Sequence, residues 1–315
     1  MWKQLAIVLT AGVASGLVFV APSANASVGL LVINYFAQLP LLLIGLSLGT
    51  MSVATAGLAA LVSVTVVIGL TGALQYLIVF VIPAMVVVNR SLISRVGPDG
   101  TTEWYPTGNL LAILAGYGAI AFVAVLIMLA GQDGGLRGVI QDAIVAFITM
   151  FAPAVPEGDL IVVAEHWALS VPAMIVMSWM LMIVINSAIA QSTLVASAKN
   201  FRPTPRYSYF ELPRWLAAIL AAALAVWALG TDDAAFIGRT LSMVFATPYF
   251  LLGLAVVHRL VRKWPARHLF LTIFYIMLLL ILDWPSFAAV VGLGFAEQWF
   301  GLRRRYATSP SAKED

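Results

Sequence analysis

Uncharged amide side chains are the groups in this sequence whose type and spacing could bind a ligand. Asn34 and Gln38 are four residues apart, so a continuous helix would place both on one face. Pro40 follows, and its missing N–H is expected to loosen the backbone just before it. Amides beside a loosened helix could hold a small solute, whereas hydrogen bonding to neighbouring helices is the commoner use of such side chains in membranes. Both interpretations of this pair stay open.

Trp179 and Asn186 form a second candidate pair. Their separation corresponds to about two helical turns, so the two side chains share a face. Packing between helices is again the alternative to ligand binding. The ligand hypothesis therefore rests on four residues that the fold would have to bring together: Asn34, Gln38, Trp179 and Asn186.

Arg239 is a basic residue close to the start of an apolar run, where a guanidinium needs a partner. Three aspartates are candidates for that partner: Asp232, Asp233 and Asp283. We expect a structural ion pair between Arg239 and Asp283, and binding of an anion is the alternative.

Residue patterns that support catalysis are scarce. The sequence contains no Gly-x-x-x-x-Gly-Lys-Ser/Thr for nucleotide phosphates and no His-Glu-x-x-His for zinc. It has no cysteine, which excludes thiolate catalysis and cysteine-based metal sites. The three histidines, His166, His258 and His268, lack metal-ligand spacing, and Glu165 beside His166 is a possible acid/base pair only in a loose sense. We therefore expect neither an enzyme nor a metal or cofactor site.

A long charge-free stretch indicates the solvent in which the chain folds. From Gln4 to Asn89, 86 consecutive residues include no Asp, Glu, Lys, Arg or His. A charged side chain at mid-bilayer costs about 2.5–3.5 kcal/mol on insertion scales, so lipid favours such a stretch, whereas a water-soluble surface needs charge. The whole chain is 62% hydrophobic and 10% charged, against about 45–50% and 25% in soluble domains. The sequence predicts an all-α, polytopic membrane protein.

Ten apolar runs could cross a bilayer as helices, for which about 20 residues are usual. Several runs have only 15–18 residues, so eight or nine crossings are alternatives to ten. We predict one transmembrane domain over residues 1–305, followed by a disordered cytoplasmic tail at 306–315. The predicted spans are 5–21, 28–46, 50–70, 72–88, 109–130, 168–190, 213–230, 236–258, 268–282 and 285–302.

Basic residues are distributed unevenly between alternate loops. If the N-terminus is cytoplasmic, the inner side holds 15 of the 17 Lys and Arg, leaving Arg137 and Arg239 outside. Cytoplasmic retention of basic loops produces this asymmetry. We therefore expect both termini in the cytoplasm and insertion in a bacterial inner membrane. The partner of the basic loops is then the lipid bilayer and not nucleic acid.

The longest outer connection, residues 131–167, contains a further helical pattern. Its apolar residues recur with a helical period between Leu136 and Phe151, and Pro153 and Pro156 end the pattern. We predict a helix lying in the outer interface with its apolar face toward the lipid. A lid over an outward-facing pocket is the alternative role.

The N-terminal run could be read as a secretory signal, because Ala24-Asn25-Ala26 resembles a cleavage site. We expect a retained helix instead, since further membrane segments follow it. Gly12 and Gly16 give this helix a small-residue face on which another helix can pack closely.

An ordered series of short stretches resembles a known family. The stretches are Gln38-Leu39-Pro40, Gly45 to Gly49, Glu103 to Gly108, Ser178-Trp179 with Asn186, Gly253 to His258, Phe274-Tyr275, Trp284-Pro285, Gly292-Leu293-Gly294 to Trp299, and Arg303-Arg304-Arg305. In this order they are similar to the uncharacterised YybS-like bacterial integral membrane proteins, in their alphaproteobacterial form.

The N-terminal part, about residues 1–190, is also similar to the S components of energy-coupling-factor transporters. Those are six-helix membrane proteins that bind a vitamin or metal ion and dock on a separate ATPase–transmembrane module. The resemblance implies a small-molecule ligand of unknown identity and a transport ATPase module as a possible partner. It also gives Gly12 and Gly16 a second possible role in docking that module. The additional helices at 213–302 depart from the S-component pattern.

Two functions are consistent with these observations. The first is a bacterial inner-membrane component that binds or helps transport a small, weakly charged solute at the amide residues. The alternative is a non-transporting scaffold or regulatory protein that contacts lipids or a protein partner through basic cytoplasmic residues, among them Arg202, Arg206, Arg262 and Lys263.

Overall fold

The protein is built almost wholly from helices. The computed structural model describes residues 2–24, 28–98, 100–152, 154–205, 210–280 and 284–303. The chain divides into two compact units: Met1–Leu110 with Trp179–Pro205, and Leu111–Ser178 with Arg206–Asp315. The predicted tail at 306–315 lies outside the described residues.

The first unit contains the charge-free stretch and one small hairpin. The end of α9 joins it from residue 179 onward, and the start of α6 belongs to it up to residue 110. Its elements are α1 (Trp2–Ala24), α2 (Val28–Asn34), α3 (Leu39–Leu48), α4 (Thr50–Tyr76), a π-helix (Leu77–Val81), α5 (Ile82–Leu92), β1 (Ser94–Val96), β2 (Thr102–Trp104), α6 (Thr107–Met128) and α9 (Val171–Ala196).

The second unit contains the remainder of α6 and α9 and the helices of the C-terminal half. These are α7 (Gly135–Phe151), α8 (Glu157–Ala168), α10 (Trp215–Leu229), α11 (Asp232–Leu260), a short 3₁₀ turn (Val261–Lys263), α12 (Arg267–Leu280) and α13 (Trp284–Phe300).

Six stretches within the described residues are long and apolar enough to cross a membrane: Trp2–Ser23, Gly29–Leu48, Thr50–Leu92, Thr107–Met128, Val171–Ala196 and Asp232–Leu260. All ten predicted spans coincide with helical segments, but those at 213–230, 268–282 and 285–302 correspond to α10, α12 and α13, which have 15, 14 and 17 residues. At about 1.5 Å per residue these helices are shorter than the roughly 30 Å hydrocarbon core. The structure is therefore that of an all-α membrane protein with several apolar spans.

The stretch Thr50–Leu92 folds back on itself at Gly69. A straight helix of 43 residues would be about 65 Å long, roughly twice the thickness of the hydrocarbon core. Gly69 has φ 80° and ψ −179°, which interrupts α4. Gly57 and Val81, twelve residues to either side of Gly69, are in contact, because a Cβ added at Gly57 would overlap the Val81 side chain. The chain therefore reverses there, within two residues of the boundary between the predicted spans 50–70 and 72–88.

Helix α1 packs closely on the first half of α4. A Cβ added at Gly12 would overlap the backbone carbonyl of Ala56, and one at Gly16 would overlap the side chain of Ser63. Glycine at both positions lets the two backbones approach each other, as in other small-residue contacts between membrane helices. The face that carries Gly12 and Gly16 is therefore covered by α4 within the chain.

A two-stranded hairpin links α5 to α6. Ser94 pairs with Trp104 and Val96 with Thr102 in an antiparallel register. Arg202, from the segment after α9, donates to Ser91 O at 3.3 Å and to Tyr105 O at 3.2 Å. This arginine thus joins the segment that follows α9 to both ends of the hairpin.

In the second unit, α7 coincides with the predicted helix between Leu136 and Phe151, and α8 follows it as a further helix. Helix α7 ends at Phe151, and α8 begins immediately after Pro156. Leu136 of α7 is buried with Phe122 of α6 and Phe236 of α11. Part of the apolar face of α7 thus packs on other helices of its unit, while Phe147 and Met150 farther along the helix are exposed.

A buried ion pair closes the C-terminal end of α13. Arg303 Nε lies 2.8 Å from Glu297 Oε1, and both side chains are more than nine-tenths buried. The Arg303 backbone N–H donates to Glu297 Oε2 at 3.0 Å, and its guanidinium donates to Phe210 O at 2.9 Å. The pair therefore fixes the segment that leads into α10 against the end of α13.

We expect Gly12→Ala to destabilise the protein by about 1–3 kcal/mol, because the new methyl group has to displace backbone atoms of α4. The matched control is Gly116→Ala in α6, where an added Cβ meets no atom within 4 Å among the described residues. That change should be neutral or stabilising by up to about 1 kcal/mol. Unfolding free energies in mixed detergent micelles measure both. Equal effects of the two substitutions would contradict the close α1–α4 contact.

We expect Glu297→Gln to cost about 3–5 kcal/mol, because it leaves the buried Arg303 guanidinium without its carboxylate. The matched control is Glu103→Gln, which breaks the exposed 2.6 Å ion pair with Arg95. Exposed pairs contribute at most about 1 kcal/mol. Thermal unfolding midpoints of the two variants, compared in one detergent, give the difference. A small shift for Glu297→Gln would show that the buried pair does not stabilise this unit.

Candidate functional site

The break between α2 and α3 lies at the predicted amide pair. Residues 35–38 leave the α-helical pattern, and the amide N–H groups of Tyr35, Phe36 and Ala37 bond carbonyls three residues back, as in a 3₁₀ turn. Pro40 stands in the first turn of α3. Its ring removes a donor and crowds the preceding turn, which accounts for the position of the break.

Side chains from two other helices bond the backbone carbonyls of this turn. Pro40 has no N–H with which to continue the 3₁₀ pattern to Ala37 O, and the Ser15 hydroxyl of α1 donates to that oxygen instead. Asn186 Nδ2 of α9 donates to Tyr35 O at 2.7 Å and to Met182 O at 2.8 Å. The break is thus held from both sides, by α1 and by α9.

A second proline explains the π-helix. Pro83 would be the α-helical donor to Val79 O, four residues earlier, but it has no N–H. The indole N–H of Trp179 donates to Val79 O at 2.9 Å, and Gln38 Nε2 donates to Phe80 O at 2.8 Å. Trp179 and Gln38 therefore satisfy adjacent carbonyls of one irregular segment.

Tyr76 completes the polar contacts of this region. Its hydroxyl lies 2.5 Å from Ser15 Oγ, and the side chain is fully buried. Because Ser15 donates its proton to Ala37 O, Tyr76 is the donor to Ser15. The Tyr76 ring stacks on Phe80 at a centroid distance of 5.3 Å and packs on Phe19 at 5.0 Å. This aromatic cluster fixes the direction of the hydroxyl.

Three amide oxygens beside the break have no hydrogen-bond partner within the described part of the chain: Oδ1 of Asn34, Oε1 of Gln38 and Oδ1 of Asn186. Gln38 is 0% exposed and Asn186 is 1% exposed. The side-chain nitrogens of Gln38 and Asn186 donate to backbone carbonyls, which can only accept. Rotating either amide by 180° would therefore place its oxygen against a carbonyl oxygen, with no hydrogen between them. A buried acceptor without a donor costs about 1–3 kcal/mol. Each of these oxygens can accept a hydrogen bond or contact a cation.

The structure places all four residues of the ligand hypothesis in the first unit, around the break and the π-helix. The nitrogens of Gln38, Trp179 and Asn186 serve helix packing, as the alternative interpretation expects. The predicted common helical face of Asn34 and Gln38 is wrong, because it needs a continuous helix and the chain makes a 3₁₀ turn between them. Ligand binding by these residues stays a prediction.

The expected ion pair of Arg239 with Asp283 involves a residue outside the described part of the chain. What the structure gives is a hydrogen bond from the Arg239 guanidinium to Ser170 Oγ at 2.9 Å. Of the basic residues in the scaffold alternative, Arg202 bonds two backbone carbonyls of its own unit, and Arg206 is outside the described residues.

Other chemistry has little support in the residues that the structure describes. Within them, no group of three His, Cys, Asp or Glu is placed to hold a metal ion. The letters Gly45-Leu46-Ser47-Leu48-Gly49 match the hydrolase pattern Gly-x-Ser-x-Gly. That pattern needs a sharp strand-to-helix turn, whereas Ser47 lies in α3 and donates to Leu43 O at 2.6 Å.

Sequence reasoning missed Ser15 as a hydrogen-bond donor, Tyr76, and the π-helix. Ser15 lies between Gly12 and Gly16 on a small-residue face, and Tyr76 lies in an apolar run, so neither position indicates a hydrogen bond. Pro83 carries a usable signal, since a proline within a span leaves the carbonyl four residues earlier in need of another donor. Tyr76 has no comparable signal, because its partner is 61 residues away along the chain.

Comparison with protein families assigns the chain to one of them. The model for a family described as predicted membrane proteins, DUF2232, matches residues 15–296, which cover nearly the whole chain. No curated protein and no solved structure gives a significant match. The matched region includes the α2–α3 break, the π-helix and both Trp179 and Asn186. The protein is a member of the DUF2232 family of predicted membrane proteins.

Proposed function

We propose that this protein binds a small solute at the α2–α3 break and takes part in its transport across the bacterial inner membrane. The observation that carries the proposal is the set of three buried amide oxygens without donors among the described residues. A structural amide in a membrane normally uses both its ends, since an unsatisfied polar atom in lipid is costly. A ligand that supplies the missing donors gives these oxygens a role.

The chemistry of the three oxygens restricts the ligand. They accept and do not donate, and the described part of the site brings no formal charge, so an anion is disfavoured. A dehydrated monovalent cation, or a small solute with N–H or O–H groups, satisfies them. Broken helices whose carbonyls and amides face a ligand are a recurrent site in secondary transporters. The neighbouring π-helix is of a type frequent at functional sites.

From the resemblances in the sequence, we also propose that the chain is YybS-like, that ten helices span the bacterial inner membrane, and that both termini are cytoplasmic. The S-component-like part would dock on a transport ATPase module. Since α4 covers Gly12 and Gly16, such a module would meet the opposite face of α1, where Ile7, Ala14 and Leu17 are exposed.

Replacing Asn34 with Leu tests the site. If Oδ1 is kept for a ligand, the substitution should leave the ligand-free protein equally or more stable, because it removes an unsatisfied buried acceptor. It should also lower the affinity for a bound cation by about tenfold or more, because it removes one charge-assisted interaction of roughly 1.5–3 kcal/mol. The measurement is the thermal shift given by Na⁺, K⁺ and methylammonium, with choline chloride holding ionic strength constant.

The control for Asn34→Leu is Gln132→Leu, which removes an exposed amide from the second unit. It should leave any cation-induced shift unchanged. A loss of stability in Asn34→Leu with an unaltered shift would assign this amide to packing. The absence of a shift with all three cations in the unaltered protein would exclude the cationic class.

The proposed orientation can be tested directly because the chain has no cysteine. Gln132→Cys and Ser94→Cys each introduce one thiol at an exposed position. In intact cells a membrane-impermeant maleimide should label Gln132→Cys and not Ser94→Cys, since positive-inside retention places the hairpin in the cytoplasm. Permeabilised cells should label both. The reverse pattern in intact cells would overturn the orientation.

A further inference from the structure

A cavity of about 540 Å³ lies within the second unit, between α10, α11 and α13. This volume is within the roughly 300–1,000 Å³ range of small-molecule sites. Its walls are mainly aliphatic and aromatic, with Leu220 and Leu224 from α10, Met243 and Ala246 from α11, and Val291 from α13. Such walls suit a hydrocarbon chain.

One charged side chain is among the described lining residues. Arg239 reaches the cavity from α11, together with Ser242. It lies seven residues after the first residue of α11, about 10 Å along the helix axis. The hydrogen bond to Ser170 Oγ fixes the direction of the guanidinium. The cavity therefore combines apolar walls with one oriented cation.

One side of the cavity is open. Leu224 and Trp227 are 43% and 40% exposed, whereas Leu220 and Met243 on its inner walls are buried. In a membrane-spanning unit, exposed apolar side chains face lipid, so an acyl chain can enter sideways from the bilayer. Arginine binds phosphate oxygens through parallel N–H bonds, and at this depth its long side chain can reach the headgroup level.

We propose that this cavity holds an acyl chain of an anionic phospholipid, with the lipid phosphate on Arg239. A free oxyanion would have to give up its water among apolar walls with only one described cation as compensation. A phospholipid fills the walls with its own chain while its phosphate stays near the membrane surface. Arg239 is thus a lipid-binding residue, independent of the solute site in the first unit.

Native mass spectrometry of the full chain with dioleoyl phosphatidylglycerol tests the proposal. The unaltered protein should retain one phosphatidylglycerol in preference to dioleoyl phosphatidylcholine. Arg239→Gln should weaken retention by about tenfold or more, the effect of losing charge-assisted hydrogen bonds, and Arg239→Lys should restore part of it. The matched control is Arg137→Gln in α7, an exposed arginine whose loss should change nothing.

A second variant tests the apolar part of the cavity. Ala288 of α13 lines the cavity and is exposed, so Ala288→Phe narrows the space while residue 239 stays arginine. It should also lower phosphatidylglycerol retention. Unchanged retention in both Arg239→Gln and Ala288→Phe would overturn the proposal. Equal binding of inorganic phosphate would overturn the acyl-chain part, and equal competition by oleate would replace the phospholipid with a free fatty acid.

Discussion

Backbone carbonyls that lose their helical donors inside lipid are the constraint on which the first unit depends. Water is not available there, so each freed carbonyl needs a donor from another side chain. Pro40 and Pro83 both remove backbone donors, and Ser15 and Trp179 supply the replacements. Gln38 and Asn186 bond two further carbonyls of the same irregular segments. Because Gln38 lies in one irregular segment and bonds the other, the two defects hold each other in place.

Close approach of the helices makes these bonds possible. Ser15, which donates to Ala37 O, lies on α1 between Gly12 and Gly16, the glycines that let α1 approach α4. Gly57 has the same role where the chain reverses at Gly69, because its missing side chain leaves room for Val81. Methyl groups at these positions would push the backbones apart, and a side-chain donor of fixed length would then no longer reach its carbonyl. The hydrogen bonds of this unit therefore depend on its close helix packing.

The sequence predicts the membrane class and the positions of the helices, because absence of charge is a local property of each segment. Pro40 is also a local signal and predicts a loosened backbone just before it, although the 3₁₀ turn at 35–38 interrupts what the sequence predicts as one span over 28–46. The π-helix and the Tyr76 contact depend on residues 42 to 100 positions apart, which no periodic pattern specifies. The number of spans stays a prediction: the apolar run at 285–302 corresponds to α13, which has 17 residues, at the lower end of the usual range of about 17–25.

An amide side chain carries both a donor nitrogen and an acceptor oxygen, and this combination matters at the break. Ser15 satisfies one freed carbonyl, and its own oxygen accepts from Tyr76, so this hydroxyl keeps no unused acceptor. Gln38 and Asn186 instead donate with their nitrogens and keep a carbonyl oxygen in a buried place. Their structural bonds fix the direction of those oxygens, so the proposed ligand would meet acceptors that are already oriented. A ligand that bonds these oxygens would also strengthen the donors on the same amides, since hydrogen bonds in a chain polarise one another. Occupancy of the site would thereby tighten the α2–α3 break against the π-helix, which couples binding to the geometry of two helices.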